Sequence, residues 1–294
     1  MTEERKANQP AQQLEAGSSG FAHLHARSWY SFRRGGSSPD ALVKQALENG
    51  DEAVAVTDYM SVAGCVPLQA AARATGLHSV IGAEVNLERQ PLVLLAASNA
   101  GFATLNRLIS RGFERPEESI TLEDLRDDSS DLFILTGGRE GRLRGLLEAG
   151  QPHSALEWLK TLQSIAPHRV FLEVSSHCRE GEARMVSRLF SLAKTARVPA
   201  VVTNDVRYAT SGDAARYDAL VLSRHRLTVH DDHPERLWSK EAWLKPRAEL
   251  EKLVFGEQPF LTALEIAREC NVDLIPGRVE IPRANLPAGV RPDR

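Results

Sequence analysis

From residue 21 to about residue 204 the chain alternates short, almost unbroken apolar runs with stretches whose apolar positions recur every three or four residues. The runs at 53–57, 79–81, 92–97, 132–136, 170–174 and 200–203 have the composition of strands buried on both faces. Residues 21–25 read as the end of a further strand. Between them the periodicity predicts helices. The first has Ser38 as N-cap, Pro39 at its opening position, a stripe of Leu42, Val43, Ala46 and Leu47, and a stop at Asn49-Gly50. Others are expected over 66–75, 101–110, 140–149, 153–165 and 180–196, with a charged surface excursion at 113–130. Strands alternating with helices imply an α/β fold with a parallel sheet, and at 294 residues closure into a β/α barrel of about seven parallel strands is favoured. Residues 211–270 predict a helical C-terminal extension. Polar residues 1–20 are expected to be a disordered leader, 21–275 the domain, and 276–294 a Pro-rich tail.

Composition narrows the class. Hydrophobic residues make up 42% and charged residues 26%, as in a globular domain with a core, and 36 basic against 39 acidic residues give a net charge of -3. That near balance argues against a protein that coats DNA without regard to sequence, which needs a basic excess. Cys65, Cys178 and Cys270 are far apart and form no C-x-x-C pair, so free thiols in a reducing, cytoplasmic compartment are expected. No signal peptide or apolar run near 18 residues is visible, and no membrane role is expected.

Candidate chemistry sits where the predicted strands end, the face on which parallel barrels place their sites. Those positions carry His23, His25, Asp58, Glu84, His177, Asn204 and Asp205. Two imidazoles and several carboxylates converging on one face could hold a divalent metal and activate water or polarise a phosphoryl oxygen. Taken singly, each has an ordinary alternative: a cap, an arginine partner or an Asx turn. Adjacent His177 and Cys178 diverge along an extended segment and make a poor nucleophilic pair. His225, His230 and His233, beside Asp231-Asp232, fit a surface loop better than a metal loop. Walker, dinucleotide and Ser/His/Asp patterns are absent.

The segments Phe21-Ala22-His23-Leu24-His25, Tyr30-Ser31, Ser38-Pro39-Asp40-Ala41-Leu42 and Ala55-Val56-Thr57-Asp58 resemble the start of a PHP (polymerase and histidinol phosphatase) domain. The similarity is to the N-terminal PHP domain of bacterial DNA polymerase III α subunits, with Ser61-Val62-Ala63-Gly64 nearer to the error-prone branch. It continues through Ile81-Gly82-Ala83-Glu84, Leu105-Asn106-Arg107-Leu108, Thr203-Asn204-Asp205-Val206 and Glu265-Ile266-Ala267-Arg268 to about residue 285, where those polymerases continue into their palm.

The resemblance implies a distorted barrel whose intact members use nine ligands to hold three metals that hydrolyse phosphoesters. His23, His25, Glu84 and Asp205 match the first-metal ligands, whereas Arg34, Tyr59, Pro91, Gly138 and Arg207 stand where further ligands are expected. At most one divalent metal (zinc, manganese or magnesium) is therefore expected, with catalysis weak or lost. The resemblance implies a free-standing module that scaffolds DNA replication or error-prone repair synthesis, with a DNA polymerase or other replication or repair protein as partner. Whether it touches DNA directly stays open. The alternatives are a metal-dependent phosphoesterase using the residual His/His/Glu/Asp site, and a truncated polymerase fragment without a role. Arg34 and Arg207 are expected to supply the lost metal charge, with at least one guanidinium within hydrogen-bond reach of Asp205 or Glu84.

Overall fold

The computed structural model describes residues 20–277, so nearly all of the expected leader and of the expected tail lies outside the described residues. In chain order the elements are β1 (Ala22–His23), α1 (Pro39–Asn49), β2 (Ala53–Tyr59), α2 (Cys65–Thr75), β3 (His78–Leu87), β4 (Gln90–Ala96), α3 (Asn99–Phe113), α4 (Leu122–Asp127) and β5 (Leu132–Leu135). There follow α5 (Arg142–Glu148), α6 (Pro152–Ile165), β6 (Val170–Val174), α7 (Glu182–Ala196), β7 (Ala200–Val202), α8 (Ala214–His225), α9 (Pro234–Trp238), α10 (Arg247–Leu250) and α11 (Gln258–Glu269). The strands form a single curled sheet in the order β1 to β7, with helices outside it and a helical C-terminal part, as the α/β barrel expectation requires.

One strand departs from that expectation: β4 runs antiparallel to both neighbours, leaving six strands in one direction. Leu87 pairs directly with Gln90, so β3 and β4 form a hairpin around Glu88 and Arg89. Both turn residues take positive φ, 49° and 69°, as a two-residue hairpin loop of matching twist demands. Glycine or asparagine normally marks such a turn, and here neither does.

The sheet's two edges meet beyond the strand ends. Ala26 bridges Val206, with Val206 N–H donating to the His25 carbonyl at 3.0 Å and Arg27 N–H to the Val206 carbonyl at 2.9 Å. This contact brings the segment after β1 against the segment after β7, and so brings His25 and Arg27 to Asp205 and Arg207. α11 covers the opposite end, where Phe260 meets Phe21 at 5.5 Å between ring centres. α1 forms as the sequence predicts: the Ser38 side chain accepts from Ala41 N–H, Pro39 opens the helix, and Gly50 closes it at a φ of 75°. Among the described residues no helix is long and apolar enough to cross a membrane.

Candidate functional site

At the strand ends His25, Glu84 and Asp205 come together, with candidate ligand atoms all within 4.8 Å of one another. His25 uses both ring nitrogens: Nδ1 lies 2.6 Å from Glu173 Oε1, and Nε2 lies 3.0 Å from Glu84 Oε2 and 3.4 Å from Asp205 Oδ1. Arg27 donates to Glu84 Oε2 through Nε at 2.9 Å and again through Nη2. Arg207 donates through Nη2 to Asp205 Oδ2 at 2.9 Å and to Glu140 Oε2 at 3.0 Å, with its guanidinium 5.1 Å from the Trp238 ring centre. Three cationic groups thus face four carboxylates, and all but Glu140 are about 1% exposed or less.

The pKa directions follow from that arrangement. Burial opposes a charge on His25, but Glu173 and Asp205, with hydrogen bonds to Glu173 and Glu84, outweigh it and hold the imidazole protonated well above its usual range. Glu84 is likewise opposed by burial, yet Arg27 and His25 bring its pKa below the ordinary carboxylate value. Asp205 is pushed up by burial, only partly countered by His25 and Arg27. The centre therefore approaches charge balance from protein groups alone, which is what a desolvated cluster requires.

Other expected residues are placed differently. His23 lies outside the three-residue group: its Nε2 is 3.0 Å from the Lys245 carbonyl and 3.5 Å from Asp51, and burial drives its pKa down to about 3. Side-chain alternation fails here because β1 ends at His23, and His25 lies beyond it. Arg34 stacks 4.2 Å from the Tyr59 ring centre and meets neither Glu84 nor Asp205 at ion-pair distance, so only Arg207 fulfils the expectation made for the two. Half-buried Pro91 pairs with Asn86 at the root of the β3–β4 hairpin. Gly138 does border the centre. A Cβ there would come within 3.1 Å of Glu173 Oε1 and 3.5 Å of His25 Nδ1, so Glu173 lies where a side chain from position 138 would begin. Asp58 accepts from Ser28 N–H, Ser28 Oγ and Ser31 Oγ at 2.7–2.8 Å, and anchors the loop after β1. His177 Nε2 meets the Asn204 carbonyl at 3.0 Å, and Asn204 Nδ2 donates to the Glu241 and Trp243 carbonyls.

Sequence reasoning missed Arg27, Glu173 and Glu140. Arg27 follows the spacing His23-x-His25-x-Arg27, and Glu173 is the lone charge in an apolar strand; either could have been noticed. An imidazole and two carboxylates are the donor set of a single divalent ion. That ion would have to displace the proton held on His25 and lie beside two guanidinium groups already on the same carboxylates. A centre of several metals does not fit these residues, and a single ion fits them only against that competition.

A family model described as PHP domain matches residues 23–177. The chain is 34% identical over 275 residues to an error-prone DNA polymerase of Pseudomonas fluorescens, covering 92% of this chain and 25% of that protein. It is 30% identical over 276 residues to the DNA polymerase III subunit alpha of Escherichia coli K12, covering 90% of this chain and 24% of that one. The chain thus spans about a quarter of the length of these curated relatives. A proposed metal-dependent phosphoesterase of known structure from Bifidobacterium adolescentis superposes with a TM-score of 0.46 at 14% identity, over 64% of this chain and 88% of that one. With more than half of its length matched by the family model, and with its relatives drawn from the replicative and error-prone polymerases, the chain belongs to the PHP domain family.

Proposed function

We propose that this chain is a structural PHP module that scaffolds a polymerase assembly in DNA replication or error-prone repair synthesis, working in the cytoplasm. In this reading a buried ion-pair network has taken over the former metal centre, and at most one divalent ion binds at His25, Glu84 and Asp205. One observation carries it: Arg27 and Arg207 occupy Glu84 and Asp205, the carboxylates that a metal would need. A guanidinium brings a permanent charge and a fixed donor fork, so it can replace part of a cation's charge without any ability to activate water. The polymerase identity of the relatives supports the partner class.

The second reading is a residual phosphoesterase, favoured by the closeness of the three ligand atoms. A bound ion there would supply Lewis acidity and a more acidic water. His25, Glu84 and Asp205 would hold it, while Arg27 and Arg207 would be left to orient a phosphoryl oxygen.

Hydrolysis of a generic phosphodiester and phosphomonoester, with manganese and with zinc, separates the two. The scaffold reading expects turnover at background. Robust turnover abolished by His25→Ala establishes the second reading. The partner claim is tested by affinity capture from native lysate: recovery of a replication or repair polymerase component supports it, and recovery of none counts against it.

A further inference from the structure

The loop from Ser28 to Ser37 alternates internal anchors with outward-facing aromatic rings. Its anchors are numerous: the Ser28 and Ser31 bonds to Asp58, Trp29 N–H to the Ser37 carbonyl at 2.8 Å, Gly36 N–H to the Arg207 carbonyl at 2.7 Å, and Ala209 N–H to Ser37 Oγ at 2.8 Å. Gly35 lies so close to the Ser28 carbonyl that a Cβ would come within 2.0 Å of it. Between these anchors Trp29, Tyr30 and Phe32 are 55%, 41% and 77% exposed. Three large rings held outward on a pinned loop contribute little to the core, and concentrated exposed apolar surface of this kind marks a binding site.

The charges beside the rings indicate what binds. Arg33 lies 4.8 Å from the Phe32 ring centre and Arg34 stacks on Tyr59. Among the described residues neither guanidinium has a carboxylate at ion-pair distance, in contrast to Arg27, Arg207 and Arg224. Arg33 donates to the Ser223 carbonyl at 3.1 Å, while Arg224 lies close enough to Arg34 for their charges to repel. Flat faces for stacking next to guanidinium groups without counter-charge suit a ligand that carries rings and phosphates together. Single-stranded nucleic acid offers both, whereas a duplex hides its base faces.

We propose that the Trp29–Arg34 loop binds single-stranded nucleic acid, with bases stacked on Trp29, Tyr30 and Phe32 and backbone phosphates at Arg33 and Arg34. This goes beyond the scaffold reading and needs neither a metal nor the ion-pair centre.

The test uses the full chain and a labelled oligo-dT of about a dozen nucleotides at low salt, followed by anisotropy and by tryptophan emission. Binding is expected, with a duplex of equal length bound about tenfold more weakly or worse. Phe32→Ala and Tyr30→Ala should each weaken binding about 5- to 150-fold, the range for losing one base–aromatic stack. Emission quenched on binding in the wild type should be largely lost in Trp29→Phe. Arg34→Gln should lower the slope of log affinity against log salt by about 0.7, one phosphate contact on a single strand. Phe255→Ala, at a ring 66% exposed elsewhere, should change nothing. An unaltered melting temperature of Phe32→Ala confirms that its fold is intact. The proposal is overturned by no binding at low salt, by equal affinity for duplex, or by loop variants that bind like wild type. It is equally overturned if those variants weaken only association with a polymerase polypeptide.

Discussion

Among the described residues two groups of histidines and carboxylates are close enough to hold an ion, and burial has treated them in opposite ways. The inner group, His25, Glu84 and Asp205, is sealed from water; in the outer group, His225, His233 and Glu235, the His225 side chain is 32% exposed. Each has a guanidinium on a carboxylate: Arg27 and Arg207 inside, Arg224 on Glu235 outside. His25 is held protonated because Glu173 and Asp205 overcome burial, whereas His225 is pushed toward its neutral form by burial, Arg224 and His233. The outer rings stack, 3.9 Å between centres and 30° apart. The same residue types thus hold one imidazole charged among protein carboxylates and lower the pKa of the other beside an arginine and a second imidazole. Inside, each charge needs a protein partner; outside, solvent can stand in.

Removing an inner partner should have the largest effect. Arg27→Ala removes two of the donors to Glu84 and leaves it only His25 Nε2, and the cost expected from a broken buried pair is about 3–5 kcal/mol, measured by denaturant or thermal unfolding. A loss under about 1 kcal/mol, the usual worth of an exposed pair, would erase the distinction between the two groups.

A second effect is on pH. The raised pKa of His25 means that its stabilisation is complete below its ordinary value of 6.5 and is lost as pH rises through the raised value. Asp205 and Asp51, which burial raises to about 7 and about 8, act in the same direction, with their loss beginning near the ordinary carboxyl value of 3.8. His23 and His177 are held neutral by burial, with pKa values near 3, so the unfolded chain takes up protons first as pH falls from 6.5 toward 3, and stability is lost there too. His25 therefore contributes a fall in stability above pH 6.5, and His23 and His177 contribute a fall below it. His25→Gln should flatten the alkaline side of the profile and His177→Gln the acid side. Unchanged slopes in both would refute the assignment of these groups.

The smallest effect belongs to the outer group. His225→Ala should cost about 1 kcal/mol or less, since that histidine meets solvent and Glu235 retains Arg224 and the Tyr217 hydroxyl. A cost equal to that of Arg27→Ala would mean that exposure does not separate the two clusters.

What could be read in the sequence followed the range of the interaction. α1 was legible because its signals are local: Ser38, Pro39 and Gly50 each act on the next few residues. The β3–β4 hairpin was not, because Glu88 and Arg89 adopt its positive φ values without the residues that advertise them. Closure through Ala26 and Val206 joins positions that no local pattern connects. At the site, the family resemblance singled out His25, Glu84, Asp205 and Arg207, and the structure brings these four together. The resemblance could not carry Arg27 and Glu173, whose contacts with Glu84 and His25, and whose closeness to Gly138 in the case of Glu173, appear only in three dimensions. His23 lies apart from His25 because the alternation of a strand stops with the two-residue β1, a boundary that the apolar run does not mark.

The most direct test of the ion-pair account is the metal content of wild type and His25→Ala, purified without chelator and dialysed. The account predicts at most one divalent equivalent dependent on His25, and a wild-type melting temperature that is the same in chelator as in manganese or zinc. Two or more equivalents lost in His25→Ala, together with a melting temperature that falls by several degrees in chelator, would contradict it.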